Sequence, residues 1–263
     1  MIALLALQLF TPVDPKAIAP LYEQAFREQP TAAAARDTAA FLRNNSLPGA
    51  RDYAAKALAL DSAGKADPAQ LAADRELLAT VSSREEAIVL LREAAKAPDA
   101  TTAARCLTQL GGLTGDVAFY RQALAKEETP VRLIDLALAL EARSEYKEAE
   151  PLLRRALAVH EKKLGPAHPQ TAATMNNLAS LLLATGRAAQ AEPLQRRSLK
   201  TLEDALGSNH VRVGVGASNL ADILAAKGDA AGAKPLYRRA YEIFNRALGP
   251  NHAWTRDAAA NLK

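Results

Sequence analysis

The sequence predicts an all-α protein: a right-handed α-solenoid of helix-turn-helix repeats, with a 42-residue period in its C-terminal half. Three observations carry this expectation. Alanine supplies 60 of the 263 residues; it is the best helix former and is small enough to let helices approach closely. Aromatics make up only 5% of the chain and β-branched runs are few, which excludes a β-sandwich or barrel. The third is self-similarity at a fixed spacing, set out below. A hydrophobic content of 49% with mixed charge also excludes a mostly disordered chain.

The chain opens on Met1-Ile-Ala-Leu-Leu-Ala-Leu-Gln-Leu-Phe10, followed by the breaker Thr11-Pro-Val-Asp-Pro15. Residues 1–15 read in two ways, as the apolar core of a secretory signal remnant or as a short apolar helix capping the array. The leading positive charge of a signal is missing, since the first lysine is Lys16. The first reading implies an exported or periplasmic protein and the second a cytoplasmic one. No later run approaches the length of apolar residues that spans a bilayer.

Residues 16–130 carry degenerate copies of a helix pair. Leu21-Tyr-Glu-Gln-Ala-Phe26, Tyr53-Ala-Ala-Lys-Ala-Leu58, Leu90-Leu-Arg-Glu-Ala94 and Phe119-Tyr-Arg-Gln-Ala-Leu124 share one pattern. Their small residues Ala25, Ala57, Ala94 and Ala123 continue as Ala156, Ser198 and Ala240, so residues 16–263 are expected to form one array. Ser62, Gly64 and Pro68 interrupt the segment Asp61–Pro68 and mark the expected hinge.

From residue 131 onward the repeat is sharp. Leu164-Gly165-Pro166-Ala167-His168 recurs as Leu206-Gly207-Ser208-Asn209-His210 and as Leu248-Gly249-Pro250-Asn251-His252, 42 residues apart each time. Glu150-Pro151-Leu152 returns as Glu192-Pro193-Leu194 and Lys234-Pro235-Leu236, and Asn177-Leu178-Ala179 as Asn219-Leu220-Ala221, in the same register. The first helix of a unit is expected over about Gln170–Thr185, closed by Gly186, with Gly228 and Ser144 at equivalent positions. The second is expected from about Ala188 to Leu206. Its core stripe reads Leu153, Ala156, Leu157, His160, Leu164, and in the last copy Tyr237, Ala240, Tyr241, Phe244, Leu248.

The run Glu148-Ala-Glu-Pro-Leu-Leu-Arg-Arg-Ala-Leu157, the Leu-Gly-Pro-x-His turn and Asn176-Asn-Leu-Ala179 resemble tetratricopeptide repeats of the kinesin-light-chain type. The resemblance covers residues 131–263 and implies a binding groove lined by the first helices. Carried over position by position, it maps the groove to Asn176, Asn177, Ser180, Ser218, Asn219, Asp222 and Asn261, with Ile134, Asp135 and Leu138 in the degenerate earlier copy. The asparagine column Asn177, Asn219, Asn261 reads equally as amides facing a peptide backbone and as ties between neighbouring helices. In the animal family such grooves receive cargo peptides, some acidic-aromatic, assisted by basic residues; the small, neutral and acidic residues here depart from that pattern.

Other candidates weigh less. His168, His210 and His252 recur at equal spacing, but stacked helices lie about 8–10 Å apart, too far for one metal ion. They are expected to bond their own loops and start the next helix. The pairs Arg154-Arg155, Arg196-Arg197 and Arg238-Arg239 form a ladder on the second helices, with Glu150 and Glu192 four residues before Arg154 and Arg196. Net charge is −2 over residues 1–130 and +6 over residues 131–263, a modest excess for a nucleic-acid binder. The lone Cys106 excludes an internal disulfide. No nucleophile elbow, phosphate loop or zinc-binding helix occurs, so neither catalysis nor a cofactor is expected.

The expected function is therefore a non-catalytic interaction module that holds a peptide or helix of a protein partner, with no small-molecule substrate. Two alternatives remain. A last helix cut short at Lys263 would suit a self-assembling scaffold, and the arginine ladder would suit an anionic surface or nucleic acid.

Overall fold

The computed structural model describes residues 14–262, and the apolar stretch Met1–Phe10 lies outside them. The chain divides into two compact units, Met1–Glu127 and Glu128–Lys263. Fourteen helices and no strand occur among the described residues. The fold is an all-α solenoid of stacked helix hairpins.

The N-terminal unit contains α1 (Pro15–Glu28), α2 (Ala32–Asn44), α3 (Ala50–Ala63), α4 (Pro68–Ala79), α5 (Arg84–Ala94), α6 (Ala100–Thr114) and α7 (Val117–Lys126). Hairpins pair α2 with α3, α4 with α5 and α6 with α7. Short polar side chains start six of the helices: Asp14, Thr31, Asp67, Ser83, Asp99 and Asp116 each accept a backbone N–H of the first turn. The small markers Ala57, Ala94 and Ala123 are buried, whereas Ala25 is half-buried. The interrupted segment 61–68 links α3 to α4 inside this unit, with Lys65 in the left-handed region at φ +57°. Helices approach closely where side chains are smallest: a Cβ on Gly111 would fall 2.5 Å from the Tyr120 ring.

Charged ties hold these hairpins to one another. Arg36 on α2 reaches Asp61 on α3 and, at 3.1 Å, the fully buried Asp74 on α4. Burial, reinforced by the neighbouring Asp61, pushes the Asp74 pKa up, while Arg36 opposes the shift. On α4 and α6, Glu76 accepts from Arg105 at 2.7 Å and from Gln109 at 2.6 Å. Cys106 is buried between these elements, and burial moves its thiol up to about 12.

The C-terminal unit contains α8 (Pro130–Glu141), α9 (Tyr146–Leu164), α10 (Pro169–Ala184), α11 (Ala188–Leu206), α12 (Val211–Ala226), α13 (Ala230–Leu248) and α14 (Ala253–Ala260). Here α8 pairs with α9, α10 with α11 and α12 with α13, and α14 packs on α13. The second helices α9, α11 and α13 each span 19 residues. Each first helix closes on a left-handed residue: Ser144 (φ 61°), Gly186 (74°) and Gly228 (86°). The backbone N–H groups that follow bond back to Leu140, Leu182 and Leu224, the same carbonyl in each repeat.

The long loop is built as the histidines foretell. His168, His210 and His252 each cap the next helix, with Nδ1 accepting the N–H of Gln170, Arg212 and Trp254 at 3.1, 3.1 and 3.3 Å. The hydroxyls of Thr171 and Thr255 latch the loop by donating to Gly165 O and Gly249 O, both at 2.8 Å. His160 is buried against Thr174, as its core position requires. One expectation needs correction. The sequence pattern carries the core stripe of the second helices to Leu164 and Leu248, yet these are 40% and 37% exposed. Both sit in the last turn before the loop glycine, beyond the buried part of the stripe.

Candidate functional site

The candidate groove residues lie on the first helices α10, α12 and α14, on the side that the hairpin cores leave uncovered. On α10 the core takes Met175, Leu178, Ala179 and Leu182, so Asn176, Asn177 and Ser180 remain half-buried. On α12 the core takes Ala217, Leu220, Ala221 and Leu224, leaving Ser218, Asn219 and Asp222 half-buried. Asn261 is exposed just after α14.

The asparagine column does not behave as one ladder. Asn219 Nδ2 donates to Asn176 Oδ1 at 2.9 Å and to Ser180 Oγ at 3.5 Å, tying α12 to α10. Its counterpart Asn177 looks back to position 134, which is Ile134 rather than an asparagine, and makes no side-chain hydrogen bond among the described residues. Identical residues at identical register therefore differ because the preceding helix differs.

Two side chains outside the mapped groove, Gln195 and the core-stripe residue Tyr237, anchor this face from behind. Gln195 on α11 is fully buried, and its Nε2 donates to Asn176 Oδ1 and to Gly216 O, both at 2.9 Å. Tyr237 on α13, only 8% exposed, donates its hydroxyl to Asp222 Oδ1 at 2.6 Å. Burial and the adjacent carboxylate push the Tyr237 pKa up, so the phenol stays a donor. The signal for both lies in the repeat: Leu153, Gln195 and Tyr237 are 42 residues apart, and a core position turns polar only in the last two copies.

Electrostatically the two helix layers differ. On the second helices Arg154 pairs with Glu150 at 2.6 Å, Arg196 with Glu192 at 2.8 Å and Arg155 with Glu128 at 2.6 Å. Arg197 pairs with Glu161 at 2.9 Å, and Arg239 pairs with Glu203 in the next repeat at the same register. Arg187 joins Glu150 as well and, with Arg154, holds its carboxyl down at about 2. The arginine ladder is thus largely matched by glutamates. On the first helices, Asp135 is half-buried and its pKa is raised by burial, with Arg132 opposing. Among the described residues no group of three or more His, Cys, Asp or Glu side chains could hold a metal ion, and no helix is long and apolar enough to cross a membrane.

These features define a class, the all-α solenoid of stacked helix hairpins. Residues 131–204 and 213–263 match the tetratricopeptide-repeat family. Repeats of this family generally mediate protein–protein interaction and scaffolding. Among solved structures, the chain is similar to one in the APC/C hetero-tetramer Cut9–Hcn1, with a TM-score of 0.61 and 17% identity over 95% of this chain. It spans 46% of that longer chain. The C-terminal part of a repeat-containing protein from Cytophaga hutchinsonii is similar at a TM-score of 0.61 and 14% identity, over 95% of each chain. PilW, a type IV pilus biogenesis factor, is similar at 0.60 and 15% identity, over 87% of this chain and 98% of its own. At these identities the likeness is one of fold. The comparison with curated proteins found no match.

Proposed function

We propose that the protein is a non-catalytic interaction module and that the first-helix face of its C-terminal unit receives an extended or helical segment of a partner protein. The carrying observation is unspent hydrogen-bonding capacity on a fixed frame. Asn176 has both acceptor bonds on Oδ1 and keeps its amide N–H groups for another acceptor, while Asn219 uses Nδ2 as donor and keeps Oδ1. Asn177 and Ser218 add unbonded polar groups on the same face. A donor beside an acceptor suits the alternating C=O and N–H of a peptide backbone, and the buried Gln195 removes rotamer freedom that binding would otherwise have to quench. We read the 42-residue period and the Leu-Gly-Pro-x-His turns as marking the kinesin-light-chain type of repeat, without extending that type's peptide preference to this chain.

The ion-paired state of the arginine ladder supports this reading over an anionic-surface or nucleic-acid binder. The test is capture of proteins from lysate by the immobilised full chain, beside a variant carrying Asn177→Ala and Ser218→Ala, neither of which breaks a hydrogen bond within the described residues. Partners retained by the native chain and lost by the variant, with helicity and melting nearly unchanged, are the expected result. Equal capture by both removes the assignment of the face.

A further inference from the structure

Inference rests here on the groove reading above and concerns the chemistry of its occupant. The uncovered stripe of α8 runs through positions 131, 134, 138 and 141, one helical face, and repeats 42 and 84 residues later on α10 and α12. No lysine or arginine stands at any of these positions. Carboxylates do: Glu141 on α8 and Asp222 on α12, with Asp257 of α14 in the register of Val131. The basic residues just beyond the first helices are engaged, Arg143 by Glu145, Arg187 by Glu150 and Lys227 by Glu192. Neutral polar side chains (Asn176, Ser180, Ser218) and apolar surface fill the rest, with Val131 57% and Leu138 43% exposed on α8.

We infer that the first-helix face of the C-terminal unit selects a cationic segment of its partner, with lysine or arginine side chains meeting Glu141 and Asp222 and aliphatic side chains lying on Val131 and Leu138. Several observations converge on that occupant. Tyr237 holds Asp222 by one oxygen, Oδ1, which fixes the carboxylate and leaves Oδ2 for an incoming donor. Glu141 is half-buried and has no ion pair or side-chain hydrogen bond among the described residues, so its charge is desolvated without compensation. An approaching cation would relieve that penalty, whereas an acidic segment would meet like charge at Glu141 and Asp222. A charge pair formed at a half-buried carboxylate outweighs one at a fully exposed one, because water screens it less. Tyr237 is a positioning residue in this scheme, acting through Asp222.

A random peptide library displayed on phage and selected against the full chain tests the inference. Selected peptides should be rich in Lys and Arg interspersed with aliphatic residues and poor in Asp and Glu. Substituting Glu141→Gln together with Asp222→Asn should then weaken a selected synthetic peptide by about tenfold. Tyr237→Phe should weaken it less, and only when Asp222 is intact. Acidic or charge-neutral consensus peptides overturn the charge assignment while leaving the groove in place, provided Asn176→Ala abolishes their binding. Basic peptides indifferent to the Glu141 and Asp222 changes bind elsewhere and overturn it too. A selection that enriches nothing refutes the groove reading itself.

Discussion

The two units fasten equivalent helices with opposite chemistry. In the N-terminal unit the ties are ionic: Arg36 spans Asp61 and the buried Asp74, and Glu76 takes both Arg105 and Gln109. In the C-terminal unit, first helix meets first helix through neutral amides, Asn219 to Asn176 with Gln195 behind. An ionic tie is strong once made and costly to half-remove; an amide tie is weaker but leaves donors and acceptors available at its edge. The unit with the amide ties is also the one whose first-helix face keeps groups free for a partner.

The comparison is broken most directly by deleting one member of each tie. Arg36→Ala would strand the Asp74 carboxylate in the core and should destabilise the N-terminal unit by about 3 kcal/mol. Asn176→Ala removes the acceptor shared by Asn219 and Gln195, of which Gln195 keeps its bond to Gly216 O, and should cost about 1 kcal/mol. Hydrogen–deuterium exchange resolved along the chain reads both units, and the single Trp254 reports the C-terminal one by fluorescence. Equal losses in the two units would deny that their ties differ in kind.

Acidity should separate the units in opposite directions. Burial lowers the His160 pKa, so the C-terminal unit holds that residue neutral and loses its contribution as pH falls below the ordinary histidine value of about 6.5. Asp74 is the reverse: its raised pKa favours the protonated form, so its contribution is complete in acid and is lost as pH rises through the folded-state pKa. Hence His160→Gln should flatten the acid-side decline of the C-terminal unit. Asp74→Asn, a mimic of the protonated carboxyl, should flatten the decline of the N-terminal unit as pH rises through the folded-state pKa of Asp74. Unit-resolved exchange at several pH values checks both, and slopes unchanged by the substitutions would assign the pH dependence to other groups.

Caps provide a smaller contrast. His252→Ala removes the Nδ1 acceptor at the start of α14 and should loosen that helix by about 1 kcal/mol, and Asp99→Ala should loosen the start of α6 in the same sense. The measurement is the exchange rate of the first-turn amides in each helix. Protection lost at α6 alone would mean that the long loop is held by its threonine latch and not by its histidine.

Much of this architecture was legible in the sequence because it rests on local chemistry repeated at one period. Gly186, Gly228 and Ser144 close helices through their own backbone conformation, and the loop histidines cap helices two residues away. The site was legible only in outline. Asn177 and Asn219 look alike in sequence, and what separates them is the residue facing each from the preceding helix, Ile134 or Asn176. Gln195 and Tyr237 act across the hairpin, at distances along the chain of 19 and 15 residues, where no local pattern announces a partner. A core position that turns polar in the last two copies of the repeat, Leu153 giving way to Gln195 and Tyr237, is the available signal.

The finest contrast lies in the turns that end the first helices. Gly186 and Gly228 occupy the left-handed region that Ser144 also adopts, at φ 61°. A non-glycine residue there costs about 1–2 kcal/mol in the folded state. Glycine in its place would give back about 0.4–1 kcal/mol through the larger conformational freedom of the unfolded chain. The difference favours the substitution by about 0.5 kcal/mol, so Ser144→Gly should raise the stability of the α8–α9 hairpin slightly. Gly186→Ser, the mirror change one repeat later, should lower that of α10–α11 by a similar amount. Denaturant midpoints of the two variants should therefore move in opposite senses. A shift of the same sign in both would mean that contacts of the serine side chain, and not backbone conformation, set the balance at this turn.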